Sequence, residues 1–177
     1  MNNWVILAVL VSAAVLATVL VLGMGGGGTP LPDELLPAKI TGFDLASSFG
    51  HVEPIFKGEQ YSSLVSFAPT KDSEFFQKIE RMGITAYVFK GKQRARAAAE
   101  LLLNSTYPGA QKVELDGGSA SSFADNKAGQ AGLIWQEGPI LYEVFVTAPS
   151  GGKPDMNALE QAGHAGAQAV LALWEGH

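Results

Sequence analysis

The chain has 177 residues, with 12 basic and 17 acidic side chains, a net charge of −5 and no cysteine. That balance supplies no polybasic surface for nucleic acid, and the missing thiols exclude a disulfide framework, a thiolate metal site and a cysteine nucleophile. At 16% charged residues the chain is also far from the composition of a disordered one, and its length suits one globular unit.

The first feature in chain order is Trp4 to Leu22, WVILAVLVSAAVLATVLVL, 19 consecutive residues without a charge. As a helix rising about 1.5 Å per residue, it would match the hydrocarbon thickness of a bilayer. A cleaved secretory peptide carries a basic n-region and a shorter apolar core, whereas MNN has neither Lys nor Arg. The expectation is a retained signal-anchor, a single-pass transmembrane helix over residues 1–23. With the N-terminal amine as the nearest positive charge, the N-terminus is expected in the cytoplasm and the following domain outside it, periplasmic or at the cell surface. Small residues four apart, Ala8 and Ser12, Ala13 and Ala17, Ala14 and Thr18, offer a face for close helix packing in the membrane.

Residues 24–38 form a Gly/Pro-rich linker, a glycine swivel followed by a segment stiffened at Pro30, Pro32 and Pro37. Gly23 to Gly28 formally satisfies G-x-G-x-x-G. A dinucleotide site needs a strand before that motif and a helix after it, and here an apolar span precedes and TPLPDELLP follows. No cofactor is expected.

From residue 39 to 177 the pattern predicts an α+β domain. KITGFDLAS and EQYSSLVSFAP read as strands, and the spacing of Phe75, Phe76, Ile79 and Met82 predicts a helix that starts near Asp72 or Ser73 and stops at Gly83. ITAYVFK reads as a strand and KQRARAAAELLLNS as a second helix, closed by the turn NSTYPG. AQKVELD is a strand and GGSASSFADNKAG a polar loop; QAGLIWQ and PILYEVFVTA form a hairpin about EGP. The last of these runs is apolar on both parities, which predicts a strand covered on both faces, or at least one at the sheet's centre. A final helix is capped by Asp155, buries Leu159, Val170, Leu173 and Trp174, and has Gly163 and Gly166 where it approaches the sheet closely. The whole amounts to a transmembrane helix followed by a two-layer α/β sandwich, with a mostly antiparallel mixed sheet and about three helices.

Chemistry is sparse in the sequence. His51, His164 and His177 have no metal-ligand spacing, no hydrolase elbow occurs, and no metal site is expected. Asp44, Glu53 and Glu59 read as solvated carboxylates rather than an acid–base pair. Lys90, Lys92, Arg94 and Arg96 at a helix start are either a solvated edge or a site for an anion or lipid headgroup. Phe75, Phe76, Trp135 and Tyr142 are either core or the lining of a pocket between helices and sheet. The functional expectation is a non-enzymatic, membrane-anchored protein whose exported domain binds or braces other proteins, as an accessory subunit of a larger membrane complex. The alternative is an exported domain that binds a small molecule or lipid.

Overall fold

The computed structural model describes residues 35–115 and 118–175. Seven strands and two helices follow in the order β1 (Phe43–Val52), β2 (Glu59–Pro69), β3 (Arg81–Phe89), α1 (Lys92–Ser105), β4 (Gln111–Leu115), β5 (Gly118–Asp125), β6 (Gln130–Glu137), β7 (Ile140–Thr147) and α2 (Met156–Glu175). The strands make one sheet in the order β1-β2-β3-β7-β6-β5-β4, every neighbouring pair antiparallel. Two meanders, β1-β2-β3 and β4-β5-β6-β7, are each followed by a helix and are joined down the middle by β3 and β7.

The physical basis of this arrangement lies in β7. Its sequence ILYEVFVT buries residues of both parities, so both of its faces need a cover. One face carries Tyr142, Val144 and Val146 and packs with Leu133, Trp135, Ile84 and Met82 under Leu159, Ala162, Ala167 and Val170 of α2. The other carries Leu141 and packs with Tyr87, Phe89 and Ile134 under Ala95, Ala98 and Leu102 of α1. The central position of β7 expected from its sequence is therefore observed. Gly138, at positive φ, and Pro139 turn the β6–β7 hairpin as expected, with Glu137 paired to Ile140.

The helix α2 is held close to the sheet by small residues. A Cβ on Gly166 would sit 2.7 Å from Met82 Sδ and 3.0 Å from Val144 Cγ1, while one on Gly163 would meet Gly132 Cα at 3.7 Å. This is the close approach that the two glycines predict. Asp155 caps the helix as expected, its Oδ1 accepting from the Ala158 amide at 3.1 Å. Leu159 and Val170 are buried in the stripe, whereas Leu173 is half-buried and Trp174 is 42% exposed, because the stripe runs off the sheet at the last turn.

Several expectations are corrected. Among the described residues the sheet is wholly antiparallel rather than mixed, the helices number two rather than three, and they lie on opposite faces, so the fold is not a two-layer α/β sandwich. The helix expected over residues 72–83 is a run of turns: Ser73 accepts from Phe76, Phe75 accepts from Lys78 and Ile79, and Gln77 has φ 65°. Met82 belongs to β3, and the polar stretch expected as a loop contains β5. Among the described residues no helix is long and apolar enough to cross a membrane, and the span expected at residues 1–23, with Ala8, Ser12, Ala13, Ala14, Ala17 and Thr18, lies outside the described residues.

Candidate functional site

The densest chemistry in the domain sits on the α1 face of the sheet. Glu143 of β7 is 4% exposed, yet both its oxygens are engaged: Tyr87 of β3 donates to Oε2 at 2.7 Å and Tyr107 to Oε1 at 2.6 Å. Tyr107 follows the C-terminal end of α1, where it stacks on Phe123 with ring centroids 3.7 Å apart. Distances this short belong to hydroxyls bonded to a carboxylate. Burial pushes the Glu143 carboxyl above its ordinary 4.5, and the bonds from Tyr107 and Tyr87 oppose that rise. Burial, and next the charge of Glu143, raise both phenols.

Glu59 of β2 is also buried, at 7% exposure, which corrects its expected solvated state. Its Oε2 accepts from the amides of Ile55 and Phe56 at 2.9 Å and so closes the loop between β1 and β2. Asp44 and Glu53 are exposed as expected. Glu59 stands opposite Phe89 and Glu143 opposite Thr85, which puts the two acids two strands and four residues apart. Their Cα atoms are about 16 Å apart by strand spacing and rise, too far for a glycosidase-type pair. No group of three or more His, Asp or Glu among the described residues could hold a metal.

The basic cluster does not converge. Lys90, Lys92, Arg94 and Arg96 are all exposed. Lys92 and Arg96 lie one turn apart on one side of α1, where Arg96 pairs with Glu100 at 3.2 Å, while Arg94 lies over the backbone of Gly58. The four aromatics expected at a pocket separate into two places on the α2 face. Trp135 stacks on Tyr142 at 5.1 Å, and Tyr142 accepts from the half-exposed Trp174 indole at 3.2 Å. Burial lifts the Tyr142 phenol to about 12, against the lowering effect of that bond. Phe75 is instead stacked on Phe43 at 5.1 Å, and Phe76 is 40% exposed. Tyr142 lies level with Ser63 and Phe43 with Pro69, so the two aromatic pairs are about 20 Å apart along the strands. His164 is exposed on α2, and His177 lies outside the described residues.

A second feature lies at the β1 edge. Leu45 is 44% exposed and shares a face with Phe43, two residues before it; Phe76 follows the phenylalanine stacked on Phe43. Leu45 and Phe76 are thus two exposed apolar side chains, each close in sequence to one member of a buried ring pair. Register shifts at Leu45–Ser47 and Phe49–Val52 break β1, a device that discourages regular pairing of an edge strand with another chain. The patch therefore offers side chains, not a straight backbone ladder.

Compared with known proteins, the chain matches no family model, no curated protein and no solved structure. Sequence reasoning missed Glu143, Tyr87 and Tyr107 as a unit. The one available signal was a lone charge inside a strand apolar on both parities. Nothing in spacing announced the tyrosines, which lie 56 and 36 residues from the acid.

Proposed function

We propose that this chain is a non-enzymatic binding protein whose domain docks on other proteins through the β1 edge, as an accessory subunit of a larger assembly. The observation that carries the reading is that two large apolar side chains, Leu45 and Phe76, are exposed within two residues of Phe43 and Phe75, the two members of a buried ring stack. Large apolar side chains that emerge together from a core mark contact surfaces more often than isolated ones do. The Glu143 cluster supports the same reading. Its carboxylate is bonded on both oxygens by residues of its own fold, an arrangement that joins the residue after α1 to the sheet. The extracytoplasmic location expected for the domain rests on residues 4–22, outside those described, and is carried as part of the same proposal.

The test replaces both patch residues with polar ones, Leu45→Asp with Phe76→Ser, in tagged full-length chain recovered from cells that make it. The wild type is expected in a complex larger than its own monomer, and the double variant, with unchanged melting temperature, as the monomer alone. A double variant that stays in the complex, or a wild type that migrates as a monomer, overturns the proposal.

A further inference from the structure

We propose that Glu143 and Tyr107 form a proton-operated latch, which holds the Thr106–Ala110 connection on the sheet while Glu143 carries a proton and loosens it once the carboxylate ionises. The geometry supplies both states. An ionised Glu143 accepts both phenols, at 2.6 and 2.7 Å. A protonated Glu143 donates its own hydrogen to the Tyr107 oxygen and still accepts from Tyr87; Tyr107, half-buried, then turns its hydroxyl hydrogen to water. Tyr87, 7% exposed and under Phe56, has no such freedom, so the proton enters and leaves past Tyr107.

The groups around Glu143 decide which state closes the latch more firmly. Tyr87 faces it from β3 and Tyr107 from the connection after α1, and Glu59 of β2 adds its charge at Tyr87. The α1 helix presents Ala95, Ala98 and Leu102, while Lys92, Arg94, Arg96 and Glu100 point to solvent; β6 presents Ile134 and β5 Phe123. Among the described residues no cation approaches the carboxylate. Two phenols leave a buried negative charge without a counter-ion, and water is the nearest remedy. Lifting Tyr107 off Phe123 admits that water. The neutral acid has no such need, so the closed form is favoured when Glu143 is protonated.

The direction of the titration agrees with this. A carboxyl raised above 4.5 in the closed form and ordinary in the open one makes opening up to tenfold more frequent per pH unit, from 4.5 to the raised value, and level above it. The Thr106, Tyr107 and Ala110 amides report opening, since each is hydrogen-bonded in the closed form, to Leu102 or to Tyr107 oxygens. The Ala158 and Leu159 amides, bonded to Asp155 on the other face, serve as controls.

The experiment is hydrogen exchange of the full-length chain from pH 4 to 8, corrected for the intrinsic rate of each amide. Wild type is expected to show a rise of up to tenfold per unit at 106, 107 and 110 in the titration window and none at 158 and 159. Glu143→Gln is expected to be flat at all five. Tyr107→Phe retains the acid, loses one donor and is expected to carry the rise to higher pH. Titration of a 13C-labelled Glu143 carboxyl in the wild type, needing no variant, is expected to show a midpoint above 4.5. A midpoint at or below 4.5, a flat wild type, or an equal rise in Glu143→Gln overturns the latch.

Discussion

Replacing Gly166 with alanine sets two physical terms against each other, and replacing Gly163 removes one of them. Either change relieves the glycine cost inside a helix, about 1 kcal/mol. At Gly166 the new methyl would stand 2.7 Å from Met82 Sδ, 3.0 Å from Val144 Cγ1 and 3.5 Å from Ile84 Cδ1. All three neighbours are 0% exposed, so none can swing into solvent, and Val144 is further restricted by its branched Cβ. Overpacking of this kind costs typically about 1–3 kcal/mol. The net effect expected for Gly166→Ala is a loss of roughly 1 kcal/mol. At Gly163 the nearest atoms are Gly132 Cα at 3.7 Å and Val146 Cγ2 at 3.9 Å, ordinary contacts, so Gly163→Ala is expected to gain up to about 1 kcal/mol. For a domain of this size the two variants then differ in melting temperature by roughly 6–8 °C. Thermal unfolding followed by circular dichroism, with urea midpoints as a check, measures the difference. Shifts of equal sign and size, or a Gly166→Ala variant more stable than Gly163→Ala, would refute the packing of α2 on β3, β6 and β7.

Further predictions concern the buried acid. A carboxyl raised on folding contributes stability that is fully present below its ordinary 4.5 and is lost as pH rises through the raised value. The melting temperature of the wild type relative to Glu143→Gln should therefore fall from pH 4.5 upward and then level. Melting curves of the pair across pH 4–8 check this, and a difference independent of pH contradicts it. Tyr107→Phe at pH 4.5, where the latch is closed, removes the 2.6 Å hydrogen bond to Glu143, leaves the buried acid without that partner and should cost about 1–3 kcal/mol in urea unfolding. In combination with Glu143→Gln the loss should shrink, because the two residues share one interaction.

Much of the strand pattern was legible because local signals and tertiary context agree. EQYSSLVSFAP and KQRARAAAELLLNS coincide with β2 and α1, and the apolar runs of β6 and β7 are bounded by a turn that only Gly138 and Pro139 interrupt. The segment around Phe75 was misleading because Phe75 and Ile79, four apart, are both buried, yet a positive φ at Gln77 lets a chain of turns achieve the same burial without a helix. In β5 the buried residues are Ala120 and Phe123, three apart and on opposite faces, so neither face shows the alternation that marks a half-buried strand. The helices' placement on opposite faces was implicit in the double parity of β7 but needs the register of β3 and β6 to become visible. The acid–phenol cluster was illegible for a different reason. It joins β7, β3 and the residue after the α1 cap, and only the β3–β7 pairing brings Tyr87 beside Glu143. The β1 patch was half visible: Phe76 was singled out, while Leu45 gained meaning only from the stack of Phe43 on Phe75.

Docking through the β1 edge is read out by mapping where the chain touches its neighbours in the cell. A photoactivatable residue placed in turn at positions 45, 76, 101 and 164 samples the patch and two exposed sites elsewhere, Leu101 on α1 and His164 on α2. Discrete adducts to another protein at 45 and 76, with none at 101 and 164, are the predicted result. Adducts confined to 101 or 164, or none at any position, would contradict the claim.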